Sequence, residues 1–189
     1  LGATKAIHVS TFAMYPKILP PAEVGGRSHT TVFHIGSMDW KPNHDGVHWF
    51  VNEIWPKVVA EYPASLHLAG REMYVKEFEG KPNVVAHGEV ENAAQFMADH
   101  HIMVVPLRSG GGVKVKVSAG MFAGNPIVTP SVGAEGIAMK DGVDYLLADT
   151  ADHFAKQIVR LLIDPILASR LGENAQKCAA ENHELSRAT

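Results

Sequence analysis

Cysteine is almost missing from this sequence: Cys178 is the only one in 189 residues. A single thiol excludes an intrachain disulfide and fits a reducing compartment. An excess of positive charge is also missing. Seventeen Lys and Arg face 20 Asp and Glu, giving a formal charge of −3 and a pI near 6.4. Nucleic-acid proteins usually need a net basic face, so no nucleic-acid partner is expected. A local basic pocket stays open, because net charge says nothing about its distribution. No apolar run approaches the roughly 20 residues of a spanning helix, so the chain is not expected to cross a bilayer. A signal-peptide pattern is lacking as well. The chain opens without Met on a strand-like stretch at 5–10 and ends abruptly, so it is expected to be a piece of a longer protein.

What is present reads as one ordinary domain. Hydrophobic residues make up 46% and charged residues 20%, a globular balance in a chain long enough to bury a full core. Residues 11–30 carry three prolines and two adjacent glycines with little periodicity, so 1–30 is expected to be a strand and an irregular connection leading into the domain at 31–189. Short β-rich runs then alternate with helical patterns. Strands are expected at 31–36, 65–70, 83–87, 101–106, 126–129 and 144–148. Helices are expected at 45–62, 92–99, 114–123, 151–163 and 165–181, with a short polar helix after residue 70. This alternation predicts an α/β fold: a parallel sheet covered on both faces. Ligands of such sheets bind outside the carboxyl ends of the strands. The expected working edge is therefore made by the loops at 36–43, 70–72, 88–92, 106–113 and 129–136.

The strongest motif follows the fourth strand, where Arg108-Ser-Gly-Gly-Gly-Val-Lys114-Val-Lys116 runs into a helix. Gly110, Gly111 and Gly112 let the backbone approach a ligand and turn several N–H groups one way. The helix start adds amides and a positive dipole end, which favour an anion. Arg108, Lys114 and Lys116 supply cationic donors for phosphate. The same glycines also suit a tight strand-to-helix turn with no ligand, so the residues alone leave both readings open. The loop is neither a Walker A sequence nor a dinucleotide fingerprint.

Seven blocks occur in order around this loop: Gly36-Ser-Met-Asp-Trp-Lys-Pro-Asn43; Trp49-Phe50 with Glu53-Ile-Trp-Pro56; Leu68-Ala-Gly70; His87-Gly-Glu-Val90; the loop itself; Met121-Phe-Ala-Gly-Asn-Pro-Ile-Val128; and Gly133-Ala-Glu-Gly-Ile137. Together they resemble the family 4, or group 1, glycosyltransferases across about residues 31–175. The resemblance implies a GT-B architecture of two Rossmann-like domains, of which this chain matches the second, donor-binding one. It further implies a retaining enzyme that transfers a hexose from a nucleotide-sugar to a glycan, lipid or other acceptor. The acceptor, and any group that activates it, would belong to an N-terminal domain, so the chain alone is not expected to turn over. No cofactor and no metal are expected, and the expected location is the cytoplasm, up to the inner membrane surface.

The chain departs from the family pattern at two positions. A glutamate common in the family falls at Ala119, and a second falls at Gly111. These carboxylates would contact the donor's ribose and sugar. Another residue, such as Glu135, takes their place; or the donor differs; or the homologue is inactive and serves as a binding module. Glu135 could equally hold its own turn. Lys41 could stand in for the basic residues that relatives place after the first strand, or be a solvated loop lysine. A nucleotide-sugar epimerase shares the architecture, but the blocks around Trp40, Trp55 and Met121 fit it less well. His44 and His48 have metal-like i,i+4 spacing, but no carboxylate or Cys pattern completes a site. His100 and His101 are expected to form a surface pair, and Trp49 and Trp55 to pack.

Overall fold

The structure, a computed structural model, describes residues 28–188, with side chains to 182. The strand expected at 5–10 and most of the connection to residue 30 lie outside the described residues.

Six parallel strands form one sheet in the order β3-β2-β1-β4-β5-β6. They are β1 (Thr31–Ile35), β2 (Ser65–Ala69), β3 (Val84–Gly88), β4 (Ile102–Val104), β5 (Ile127–Thr129) and β6 (Leu146–Leu147). In the centre, Val32 of β1 pairs with Leu66 on one side and Ile102 on the other. The central strands are apolar almost throughout because helices cover both of their faces. One face packs Val32, Leu66, Ile102 and Val104 against Phe50, Ile54, Trp55, Phe154 and Ile158. The other packs Phe33, Met103, Val105 and Ile127 against Phe96, Val117, Met121 and Ala175. This is a Rossmann-like α/β fold, as the sequence reading expects.

The helices are α1 (Lys41–Trp49), α2 (Trp55–Glu61), α3 (Ala93–Asp99), α4 (Val115–Phe122), α5 (Ser131–Ala134), α6 (Ala151–Ile163) and α7 (Pro165–Ala188). Asn92 caps α3 by accepting from the Gln95 amide at 3.0 Å, and Thr150 caps α6 through the His153 amide. The single helix expected at 45–62 is different in detail. It starts earlier, at Lys41, and Phe50–Ile54 forms a π-helical turn between α1 and α2. Pro56 explains the turn: it has no N–H, and its ring collides with the carbonyl four residues back, so the α-ladder cannot run through it. The polar helix expected after β2 is a 3₁₀ turn at Val75–Phe78. Within the described residues no helix is long and apolar enough to cross a membrane.

His100 and His101 are not a surface pair. Both are buried, at 8% and 3% exposure. The His100 ring packs 4.3 Å from Phe96, centroid to centroid, and its Nδ1 donates to the Phe96 carbonyl at 2.7 Å. Trp55 is buried as expected, and its indole N–H donates to the Pro82 carbonyl at 3.0 Å.

Candidate functional site

Strand order reverses between β1 and β4, and the crevice outside their carboxyl ends is where such sheets hold ligands. Two loops line it: residues 36–40 after β1 and residues 105–114 after β4. The helices that follow, α1 and α4, are drawn tightly around it. A side chain at Gly46 of α1 would overlap the Pro106 carbonyl oxygen, so this glycine lets α1 lie directly on the β4 exit. Gly36 does the same for side chains. A Cβ there would lie 2.7 Å from Lys116 Nζ, 2.8 Å from Asn43 Nδ2 and 3.1 Å from His34 Nε2. Three nitrogens therefore converge over a residue that has no side chain.

Lys116 donates to Asn43 Oδ1, and Asn43 is itself oriented by donating from Nδ2 to the Ser37 carbonyl at 2.8 Å. The ammonium also stands 5.6 Å from the Trp40 ring centroid. Trp40 floors the glycine loop: a Cβ on Gly110, whose φ is +108°, would come within 2.9 Å of the indole. Only glycine suits both that backbone and that contact. Burial, and then the charge of Lys114, push the Lys116 ammonium down to about 7. Lys114 itself is only 4% exposed. It donates to the Gly112 carbonyl and lies 3.7 Å from Glu135 Oε2. His34 donates from Nδ1 to the Val104 carbonyl at 2.9 Å, while its Nε2 has no partner. Burial, reinforced by Lys116, holds His34 down to about 3, so the ring is neutral.

Lys116 is desolvated beside Lys114, whose carboxylate partner Glu135 stands 3.7 Å away, and an anion placed at the two ammonium groups favours their charged forms. No side chain caps α4, whose first turn adds its dipole to theirs. Added Cβ atoms at Gly111 and Gly112 would meet nothing within 4 Å, so the outer side of the loop is open to a ligand. The arrangement suits a doubly charged group such as a diphosphate.

The structure brings together Gly110, Gly111, Gly112, Lys114, Lys116 and Glu135. It places the other two candidates in outward contacts. Arg108 stacks on Trp49, 5.3 Å from the ring centroid. Lys41, with 81% of its side chain exposed, pairs with Asp45 at 2.7 Å. Three residues of the site are not among the candidates that the sequence reading singles out: His34, Asn43 and Trp40. Asn43 and Trp40 lie within a recognised block, and His34 is a polar residue flanked by the apolar Val32, Phe33 and Ile35 of β1. Ala119 is 8% exposed within the apolar cluster on the α4 face, so no carboxylate projects from that position. Gly120 also has a packing reason, since a Cβ there would overlap the Met103 sulfur.

A Rossmann-like sheet with a glycine loop and two buried lysines at its switch point is an arrangement in which α/β domains commonly hold nucleotides. The sequence model of the family described as "Glycosyl transferases group 1" matches residues 29–164, and the chain belongs to that family. It is 24% identical over 164 residues to an uncharacterized 44.6 kDa protein in the cps region of Klebsiella pneumoniae, covering 81% of this chain and 42% of that one. Solved structures share the fold. TarM superposes with a TM-score of 0.76 at 19% identity, over 92% of this chain and 36% of TarM. WaaG, described as a glycosyltransferase involved in lipopolysaccharide biosynthesis, gives 0.69 at 15% identity, over 92% of this chain and 52% of WaaG. HepE from Anabaena, solved with UDP and glucose, gives 0.65 at 18% identity, over 88% of this chain and 49% of HepE. The chain thus spans about half or less of each of these relatives.

Proposed function

We propose that this chain holds the nucleotide-sugar donor of a retaining hexosyltransferase. The acceptor, a glycan, lipid or similar hydroxyl compound, is held by an N-terminal domain of the GT-B arrangement, which also supplies any group that activates it. The observation that carries the reading is the pair of desolvated ammonium groups, Lys114 and Lys116, beneath an open glycine loop at the switch point. The donor diphosphate lies across Gly110–Gly112 and the start of α4. As the sugar leaves, charge builds on the β-phosphate, and donors already fixed in a water-poor crevice stabilise that charge without reorganising. Lys114 gives up its contact with Glu135 to the diphosphate, which frees the Glu135 carboxylate for the ribose hydroxyls in place of the glutamate missing at Ala119. Arg108 and Lys41 serve at the rim, where they raise the local potential rather than grip the donor. No metal is needed in this step, because the two lysines and the helix start supply the positive charge.

Calorimetric titration with UDP, GDP and ADP and their hexose conjugates tests the reading. One nucleotide family is expected to bind, and Lys114→Ala is expected to weaken it at least about tenfold, as for loss of one charge-assisted hydrogen bond. Failure of every nucleotide to bind, or indifference to Lys114→Ala, would sink it in favour of a binding module that has lost donor chemistry. The chain by itself is expected to show no transfer.

A further inference from the structure

Three histidines from three elements meet beside the edge of the sheet, on the face that carries Phe33 and Phe96. His67 stands on β2, His87 on the edge strand β3, and His100 directly after α3. Their ligand nitrogens all lie within 4.8 Å of one another. His67 Nδ1 is 3.0 Å from His87 Nε2, and the His67 and His100 ring centroids are 4.3 Å apart.

Two of the rings are oriented by a second contact. His100 Nδ1 donates to the Phe96 carbonyl at 2.7 Å, so its Nε2 presents a lone pair to the cluster. His67 Nε2 is 3.0 Å from Ser65 Oγ, which leaves Nδ1 directed at His87. Phe96 packs edge-on against the His87 ring, with centroids 5.3 Å apart. Metal-ligating histidines are normally held this way, with the second ring nitrogen bonded to a carbonyl or other polar group.

We propose that His67, His87 and His100 form a binding site for a borderline divalent transition ion, Zn²⁺ above all, with an open fourth position facing solvent. Three imidazoles without a carboxylate suit Zn²⁺ and its neighbours rather than Ca²⁺ or Mg²⁺. The ion would join the edge strand and the end of α3 to β2. The site departs from the expectation of a metal-free chain, and no short spacing in the sequence announces it, because its ligands come from three separate elements. The group His44, His48 and Glu77 is a second arrangement, in which one of the three ligand groups is a carboxylate. There His48 Nε2 lies 3.0 Å from Glu77 Oε2, and the His44→Ala variant separates the two groups.

The test is titration of the tag-free, metal-stripped chain with Zn²⁺, and with Co²⁺ followed by its visible absorption. One tight equivalent and the bands of a four-coordinate site are expected. His87→Ala, at an exposed position, should weaken binding at least about 100-fold, since losing a mere outer-shell partner costs 10–100-fold; Ser65→Ala should weaken it about tenfold. His44→Ala should leave it unchanged. Circular dichroism shows whether each variant is folded, and His67→Ala provides a second ligand deletion. No tight equivalent in the parent chain overturns the proposal. So does binding that survives both His87→Ala and His67→Ala, or that disappears with His44→Ala.

Discussion

Helices α1 and α4 begin on opposite sides of one crevice, and each brings lysine to its start with opposite results. Lys41 is 81% exposed and paired with Asp45 one turn along the same helix. Lys114 has only 3% of its side chain exposed, and Lys116, one position into α4, is desolvated enough to fall to about 7. The difference is one of surroundings, not of residue type. An exposed i,i+4 pair is screened by water and gains little. The buried Lys116 ammonium loses hydration that the Asn43 amide oxygen does not replace, so its charged form destabilises the fold until an anion arrives. Desolvated charge in a crevice marks a binding site in a way that surface charge does not.

The sharpest way to break this contrast is to remove the charges one at a time. Lys116→Met is expected to reduce nucleoside-diphosphate affinity by roughly 10–150-fold, about 1.5–3 kcal/mol, the range for a hydrogen bond to a charged group. At 0.15 M salt, where rim charge is screened, Lys41→Met should leave affinity unchanged. Parallel calorimetric titrations check both, and equal losses would abolish the distinction between rim and crevice. A second variant tests the packing that holds the two helices together. Gly46→Ala places a methyl group on the Pro106 carbonyl, which is backbone and cannot swing away. Overpacking of this kind costs about 1–3 kcal/mol, visible as a lower Tm and denaturation midpoint, even though alanine is the better helix former.

The sequence made the frame of this site legible more readily than its interior. Strand positions and α4 follow from apolar period and length, and the glycine loop announces itself. The start of α1 was also written, in Pro42 at its first turn, but the apolar spacing that begins at Val47 drew the expected boundary to residue 45. The π turn was hidden because that spacing runs on past Pro56 without a break. Which of Arg108, Lys114 and Lys116 face inward could not be read, because orientation depends on partners far along the chain. Asn43, which holds Lys116, is 73 positions away. The carboxylate beside His44 and His48 is illegible in the sequence for the same reason: Glu77 arrives from the 3₁₀ turn after β2. His100 and His101 read as a surface pair because nothing local shows Phe96 and Phe33 closing over His100.

A smaller effect sharpens the comparison through pH. Lys116 in the unliganded fold loses its proton near pH 7, whereas an unfolded chain keeps it to about 10.5. Diphosphate favours the charged form, so binding above pH 7 takes up a proton and weakens by up to about tenfold per pH unit. Lys116→Met should flatten that slope, and calorimetry in buffers of different ionisation enthalpy should show the proton uptake vanish. The unliganded fold carries the opposite sign. Between pH 7 and 10.5 the unfolded state binds the extra proton, so this group's contribution to stability rises with pH. On the acid side, His34 and His67 fall to about 3 and about 4, so stability is lost as pH drops below their ordinary 6.5.

The smallest effect belongs to the pair at the rim. The Asp45 carboxylate is held below its usual range chiefly by its hydrogen bond from Lys41, yet it lies at the surface in contact with water. Asp45→Asn removes the ion pair and frees the Lys41 ammonium, which leaves one more unpaired positive charge at the mouth of the crevice. Denaturation midpoints should not move, because water replaces what the carboxylate supplied. The association rate for a nucleotide anion should rise slightly at low salt and return to the parent value at 0.15 M, where screening acts within about 8 Å. Stopped-flow binding at two ionic strengths measures this. A change in dissociation rate instead would place Lys41 in contact with the donor and erase the difference between the two helix starts.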